Sequence, residues 1–189
     1  GKKGDFITAP NISRLFPEML AIWIITFWQS LGSPKKFNLI ELGSGNGEMM
    51  NVIIESCKNF PTFFNACNFI IFEKSPRLIK VQKKKLSNNK IIWVPKLDNI
   101  KKNPSIFIAN EFFDAIPIKQ FENKKGLLME KYYCLEKNKI KETFKEASIK
   151  DSSQIKKFKS LKNLRFIEYP KLGLKELDKI KKKILKLGG

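Results

Sequence analysis

A glycine-rich segment is the part of this sequence best suited to holding a small molecule. It reads Gly43-Ser44-Gly45-Asn46-Gly47 and lies between a short apolar run and a stretch with helical periodicity. Glycines permit a tight turn and let the backbone approach a ligand closely, and the N-terminus of the following helix offers free N–H groups. Such turns also occur without a ligand, so an ordinary strand-to-helix connection is the alternative interpretation.

Two acidic residues near this segment indicate which ligand it would hold. Glu41 precedes the first glycine by two positions, where it can face the cationic amino acid end of S-adenosylmethionine rather than a pyrophosphate. Glu73 ends the next apolar run, where a carboxylate can accept hydrogen bonds from ribose hydroxyls. A dinucleotide fingerprint needs its third glycine at position 48, which is Glu48 here, so the sequence favours S-adenosylmethionine over NAD. The predicted cofactor-binding residues are Glu41, Gly43, Ser44, Gly45, Gly47 and Glu73.

A second polar group, Asn110-Glu111-Phe112-Phe113-Asp114, follows the fourth predicted strand. Ligands of open α/β sheets lie outside the carboxyl ends of the strands, so Asn110, Glu111 and Asp114 would converge on the sulfonium end of the cofactor. Methyl transfer from a sulfonium requires alignment and removal of a proton from the nucleophile. We predict that Asn110, Glu111 and Asp114 are the catalytic residues. In the alternative interpretation, Asp114 caps a helix and Glu111 is a solvated strand end.

The residue types that are missing exclude several classes of enzyme. The sequence has no histidine, which excludes Ser-His-Asp and Cys-His catalysis, His-ligated metals and imidazole general bases. Carboxylates are then the natural candidates for proton transfer. The cysteines, Cys57, Cys67 and Cys134, contain no C-x-x-C pair, so we expect neither a metal site nor a disulfide framework.

Alternating apolar runs and helical periodicities must position these residues. The apolar runs predict strands at residues 37–42, 68–73, 90–94 and 105–109, and the periodicities predict helices at 11–31, 48–58 and 76–86. Thr8 or Asn11 can cap the first helix, Gly32 ends it, and Ser75 caps the third. The second half of the first helix is apolar nearly all round and must be covered on several sides. This pattern predicts a doubly wound α/β fold with a mostly parallel sheet.

After Pro117 the pattern becomes that of antiparallel strands. Strands are predicted at 119–122, 127–135, 139–144 and 164–169, a mobile loop or frayed helix at 145–163, and a closing amphipathic helix at 171–187. We expect one domain in three segments: an N-terminal motif and apolar helix at 1–34, cofactor-binding βα units at 35–118, and a hairpin insertion with the closing helix at 119–189.

The charge is strongly basic, with 37 lysines and arginines against 18 acidic residues and a formal net charge of +19. Clustered positive charge binds phosphate backbones, so an RNA-binding or RNA-methylating domain is one alternative. Only Arg14, Arg77 and Arg165 are arginines, so we attribute the charge to an A/T-rich coding sequence and expect no nucleic-acid partner. The most apolar run, residues 19–28, has about half the length needed to cross a bilayer, so we expect no transmembrane segment.

Four motifs in this order resemble those of the MidA-type S-adenosylmethionine-dependent methyltransferases. They are GDFITAP at residues 4–10, FNLIELGSGNG at 37–47, FEKSPRLIKVQ at 72–82 and ANEFFDAIPIKQF at 109–121. The resemblance implies a Rossmann-like methyltransferase fold in which the glycines and Glu73 bind the cofactor. It also implies that the N-terminal motif lies near the cofactor, which adds Thr8 and Pro10 to the predicted cofactor-binding residues, beside Asp5 and Phe6. Asn11 stands where the family usually has glutamate.

The resemblance also implies an activity. The family includes a mitochondrial complex I assembly factor that dimethylates an arginine, so we expect a protein arginine methyltransferase acting on a complex I subunit or a similar protein. The expected compartment is the mitochondrial matrix in a eukaryote or the cytoplasm in a bacterium. A non-catalytic assembly or scaffold protein on the same fold is the alternative. Family members continue at both ends, so we expect an internal piece of a longer protein that lacks later core strands of the sheet.

Overall fold

The computed structural model describes residues 13–87, 89–161 and 164–187. The helices are Leu15–Ser30 (α1), Glu48–Cys57 (α2), Pro61–Ala66 (α3), Pro76–Lys85 (α4), Ile149–Lys156 (α5) and Lys171–Leu187 (α6). The strands are Phe37–Leu42 (β1), Cys67–Phe72 (β2), Ile91–Val94 (β3), Ser105–Ile108 (β4), Lys119–Lys124 (β5), Leu127–Glu136 (β6), Lys139–Glu146 (β7) and Phe166–Tyr169 (β8). They form two compact units, Gly1–Phe113 with Lys179–Gly189, and Asp114–Asp178.

The first unit is built on a parallel sheet with strand order β3-β2-β1-β4. Every residue of β1 is buried, as expected of a central strand covered on both faces. The two faces of the sheet carry separate apolar clusters. One contains Ala21, Ile24, Leu39, Met50 and Phe69 among others. The other contains Ile40, Leu42, Ile70, Phe72 and Ile180 among others. The predicted α/β fold with a parallel sheet and a later antiparallel sheet is confirmed.

Helix α1 starts later and is less covered than the sequence predicted. Within the described part of the chain it begins at Leu15, whose N–H donates to Ser13 Oγ at 3.1 Å; the predicted caps Thr8 and Asn11 lie outside the described residues. It ends before Gly32, whose φ is +80°. One side is buried, through Ala21, Ile24, Ile25 and Trp28. The other side is exposed among the described residues, with Trp23 55% and Met19 61% exposed, so the predicted cover on several sides is not found there.

Helix α3 was not predicted, because its six residues are too few to show a helical period. Pro61 occupies its first turn, where a proline costs no hydrogen bond. Phe63 is buried, with its ring 5.4 Å from Trp28 and 6.0 Å from Phe37. Packing against those rings, rather than helix propensity, accounts for this short helix.

The second unit is an antiparallel sheet with strand order β7-β6-β5-β8. Its apolar core contains Phe121, Ile155, Ile167 and Tyr169. The lysine-rich stretch predicted as a loop or frayed helix contains the ordered helix α5. Ser148 Oγ caps that helix by accepting from the N–H of Asp151 at 3.1 Å.

A buried carboxylate accounts for the order of α5. Asp151 is 1% exposed, and its two oxygens lie 3.0 Å from Lys119 Nζ and 2.5 Å from Lys171 Nζ. Burial raises the pKa of Asp151, but hydrogen bonds from Lys171 and Lys119 outweigh it and hold the pKa below its usual value. Lys119 on β5 and Lys171 on α6 therefore compensate the charge of an acid buried on α5, and Ile155 of the same helix lies in the apolar core.

Candidate functional site

The glycine-rich turn connects β1 to α2 in a backbone conformation that favours glycine. The φ angles of Gly43 and Gly45 are +67° and +55°, in the left-handed region. A Cβ at Gly43 would lie 2.8 Å from Cδ2 of Phe112, so a side chain there would require the ring to move. Among the residues that the structure describes, a Cβ at Gly45 would meet no atom within 4 Å, so none of them covers this peptide. Within the described part of the chain, the turn is therefore closed toward the segment that follows β4 and open at its centre.

Glu41 lies behind this turn as a buried acid. It is 3% exposed, and its Oε2 accepts a 2.6 Å hydrogen bond from Ser44 Oγ. Burial raises the pKa of Glu41 to about 7, and the hydrogen bond from Ser44 lowers it by a smaller amount. Near neutral pH this carboxyl can therefore exist in either protonation state, and a nearby cation would favour the ionised one.

Glu73, directly after β2, has a fixed and mostly buried carboxylate. Its Oε1 accepts from the N–H groups of Lys74 and Ser75, both at 2.9 Å. Its Oε2 accepts from Nε2 of Gln82 at 3.2 Å. A carboxylate oxygen can accept more than one hydrogen bond, so Oε2 retains the capacity to accept from a ligand hydroxyl.

Gln82 is a component of the site that sequence reasoning missed. It lies on α4 and is fully buried, and its Nε2 also donates to the carbonyl oxygen of Gly45 at 3.0 Å. Nε1 of Trp93, on β3, donates to its Oε1 at 3.0 Å. The available signal was a polar side chain two helical turns after the cap Ser75. A fully buried glutamine needs partners of this kind.

The residues after β4 combine an aromatic wall with an exposed acid. The ring of Phe112 lies edge-on to Phe72 and Phe113, at centroid distances of 6.3 and 5.3 Å. Asn110 is half-buried and Glu111 is exposed. Glu111 has a φ of +53°, which is unusual for a residue with a side chain and recurs at functional sites.

The parallel register brings most of the predicted residues to one edge of the sheet. Leu42 lies opposite Phe72, and Glu41 lies opposite Ile108, so the segments that follow β1, β2 and β4 are neighbours. Glu41 lies near the end of β1, and the segments that follow the three strands carry Gly43, Ser44, Gly45, Gly47, Glu73, Asn110 and Glu111.

The described structure does not test the remaining predicted residues. Asp114 lies in the short 3₁₀ turn Phe113–Ala115, is exposed and belongs to the second compact unit. Thr8 and Pro10, with Asp5 and Phe6, lie outside the described residues.

Two features are absent from the residues that the structure describes. Residues 13–87, 89–161 and 164–187 contain no group of three or more cysteine, aspartate or glutamate side chains placed to hold a metal ion. In the same ranges no helix is both long and apolar enough to span a membrane.

The chain matches the family described as "Putative S-adenosyl-L-methionine-dependent methyltransferase" over residues 19–186. Curated relatives are named protein arginine methyltransferase NDUFAF7, mitochondrial. The Xenopus tropicalis protein is 31% identical over 149 residues, which are 66% of this chain and 35% of the relative. The Homo sapiens protein is 31% identical over 146 residues, which are 65% of this chain and 33% of the relative. The chain therefore spans about a third of the length of these relatives.

Solved structures give the same fold. A Burkholderia thailandensis protein crystallised with S-adenosyl-homocysteine superposes with a TM-score of 0.68 at 18% identity, over 82% of this chain and 41% of that one. A native crystal structure from the same organism gives a TM-score of 0.71 at 17% identity, over 90% of this chain and 46% of that one. At these identities the likeness concerns the fold alone.

Proposed function

The chain belongs to this family of S-adenosyl-L-methionine-dependent methyltransferases, and we propose that the protein binds S-adenosylmethionine and methylates a protein substrate, with arginine as the acceptor. The matched residues make up about a third of the length of these relatives, and the proposal concerns the whole protein. The observation that carries it is the open centre of the glycine-rich turn between two carboxylates at adjacent strand ends.

The residues present fit this cofactor. Gly45 leaves space at the turn, and the Glu73 carboxylate is held by two backbone N–H groups with acceptor capacity to spare for ribose hydroxyls. Glu41 is a buried acid that an ammonium group would stabilise in its ionised form. Ser44 supports Glu41, Gly43 and Gly47 shape the turn, and Thr8 and Pro10 belong to the proposed set through the motif resemblance.

The chemistry of the acceptor explains the proposed catalytic carboxylates. S-adenosylmethionine supplies an activated methyl group on a sulfonium, so the protein has only to align the acceptor and remove its proton. An arginine guanidinium is protonated at neutral pH and pairs well with carboxylates. We assign the orientation of the guanidinium and acceptance of its proton to Glu111 and Asp114, with Asn110 as a further hydrogen-bonding group. The exposure of Glu111 and its left-handed φ support this assignment.

The names of the relatives support a proposal for the substrate and the compartment. Curated relatives carry names of mitochondrial protein arginine methyltransferases. We propose a respiratory complex I subunit or a similar protein as the substrate, and the mitochondrial matrix as the compartment for a eukaryotic host. Mass spectrometry of peptides methylated by the whole protein in a mitochondrial lysate tests this, with methylarginine as the expected product. Methylation confined to RNA or to lysine would contradict the substrate assignment.

Variants of the acidic residue after β4 test the catalytic assignment. We expect Glu111→Gln to abolish methyl transfer while leaving the dissociation constant for S-adenosylhomocysteine within about twofold of wild type, because the variant removes a proton acceptor that is not a cofactor ligand. A large loss of cofactor affinity with residual transfer would instead make Glu111 a cofactor ligand. Lys125→Gln serves as the matched control, since Lys125 is an exposed turn residue that also has a positive φ.

A further inference from the structure

The side chain of Gln82 uses all of its hydrogen-bonding groups to connect three segments of the first unit. Its Nε2 donates to the Gly45 carbonyl at 3.0 Å and to Glu73 Oε2 at 3.2 Å, and its Oε1 accepts from Trp93 Nε1 at 3.0 Å. Gln82 is 0% exposed, so the hydrogen bonds of its amide are made to protein groups rather than to bulk water. One buried amide thus links the glycine-rich turn, the end of β2 and strand β3.

The orientation of this amide is fixed by the indole. Trp93 Nε1 is a donor only, so it must face the oxygen of Gln82 and leaves the –NH₂ group for the two acceptors. Those acceptors, the Gly45 carbonyl and the Glu73 carboxylate, both require a donor. A glutamate in place of Gln82 would place a carboxylate against both acceptors, which it cannot donate to. A methionine would leave the indole N–H, the Gly45 carbonyl and the Glu73 oxygen without the hydrogen bonds that Gln82 supplies.

We propose that Gln82 is a positioning residue that sets the distance between Gly45 and Glu73, and thereby makes binding selective for a ribose that carries its hydroxyls. The inference rests on the proposed function and concerns the same site. Gly45 is the open peptide of the turn, and Glu73 Oε2, which Gln82 contacts, is the carboxylate oxygen not held by backbone N–H groups. A hydrogen bond from a ribose hydroxyl to Glu73 reaches its full strength only if that carboxylate oxygen is held in place. Adenine and the amino acid end of the ligand do not contact this oxygen in the proposed arrangement, so their binding does not depend on its position.

The test compares two ligands on folded variants of the chain. Calorimetry measures the affinity for S-adenosylhomocysteine and for its analogue lacking the 2′-hydroxyl, with Gln82→Glu, Gln82→Met and Trp93→Phe. The wild type should prefer the complete ligand by about tenfold or more, the value of one hydrogen bond to a charged acceptor. We expect Gln82→Glu and Gln82→Met to reduce this preference to about twofold, and Trp93→Phe to reduce it partly, because the amide is then free to flip.

A matched control is available in the second unit. Gln120 Nε2 donates to Glu168 Oε1 at 3.0 Å, a similar Gln–Glu pair on the surface, so Gln120→Met should leave both affinities unchanged.

A purely structural role for Gln82 predicts that the affinities for both ligands fall equally and that the preference for the complete ligand stays intact. That result would overturn the proposal. Circular dichroism establishes which variants fold. If neither Gln82 variant folds, Trp93→Phe decides, and an unchanged preference in that variant overturns the proposal. Failure of the wild type to bind S-adenosylhomocysteine contradicts the proposed function instead.

Discussion

The buried carboxyl of Glu41 makes the stability of the first unit depend on pH in a defined direction. Its pKa is raised by burial from 4.5 to about 7, so between these values the folded state holds a proton that the unfolded state has lost. Stability from this group is therefore highest below pH 4.5 and falls as pH rises toward 7. For a pKa difference of this size, about 2 kcal/mol of unfolding free energy should be lost between pH 5 and pH 8.

Glu41→Gln isolates this effect from the other titrating groups. Urea unfolding of the wild type and the variant at pH 5, 6, 7 and 8 gives the free energy of unfolding at each pH. The difference between them should change by about 2 kcal/mol, with the wild type losing more as pH rises. Ser44→Ala removes the 2.6 Å hydrogen bond to Glu41 Oε2 and should move the midpoint of the change to higher pH.

Binding of S-adenosylhomocysteine supplies a second measure of the same proton. If its ammonium pairs with Glu41 as proposed, binding at pH 6 should release close to one proton, which calorimetry in buffers of different ionisation enthalpy detects. At pH 8 the release should be nearly absent.

The unfolding experiment gives the result that would refute this reasoning. If the free energy of unfolding of the wild type minus that of Glu41→Gln is constant across pH 5 to 8, or grows with pH, burial does not control the protonation of this carboxyl.

Three further predictions concern the turn, the acidic segment and the second unit. Gly43→Ala places a Cβ 2.8 Å from the Phe112 ring at a positive φ, so it should lower the free energy of unfolding by roughly 2 kcal/mol and weaken cofactor binding; unchanged urea midpoints would contradict this. Glu111→Gly should raise stability by about 1 kcal/mol and abolish methyl transfer, whereas Lys125→Gly should raise stability similarly and leave transfer intact; equal activity in both variants would argue against strain kept for function. Asp151→Ala removes the carboxylate shared by two lysines and should lower the free energy of unfolding by roughly 2 kcal/mol at pH 7. This difference should shrink below pH 4, because the pKa of Asp151 is lowered in the folded state and its stabilisation is lost as the carboxylate is protonated. A loss that does not depend on pH would contradict the ion-pair explanation.

The parallel sheet could be predicted because its strands are continuous apolar runs. Residues 37–42 are buried without exception, and the glycines that follow have the positive φ angles that the turn needs. The position of Glu73 beside the turn then follows from the parallel register, because Glu73 comes directly after β2 and the turn comes directly after the neighbouring strand β1. Local pattern and strand order were sufficient for this half of the site.

Features that depend on tertiary contacts could not be predicted from the same patterns. Gln82 looks like a surface residue of a lysine-rich helix until Trp93 and Gly45 are known to surround it. The helix α5 has a weak apolar pattern and depends on the buried carboxylate of Asp151. In both cases a polar group is buried because residues distant in the sequence supply its hydrogen-bond partners. Such partners cannot be identified from the spacing of residues along the sequence.

Titration calorimetry with S-adenosylhomocysteine and NAD tests the central claim most directly. The wild type should bind S-adenosylhomocysteine at one site and show no heat with NAD. Glu73→Ala should weaken binding by about 10- to 100-fold, the value of one or two hydrogen bonds to a charged acceptor, while remaining folded by circular dichroism. Binding of NAD, or an affinity for S-adenosylhomocysteine that does not change in a folded Glu73→Ala variant, would contradict the account.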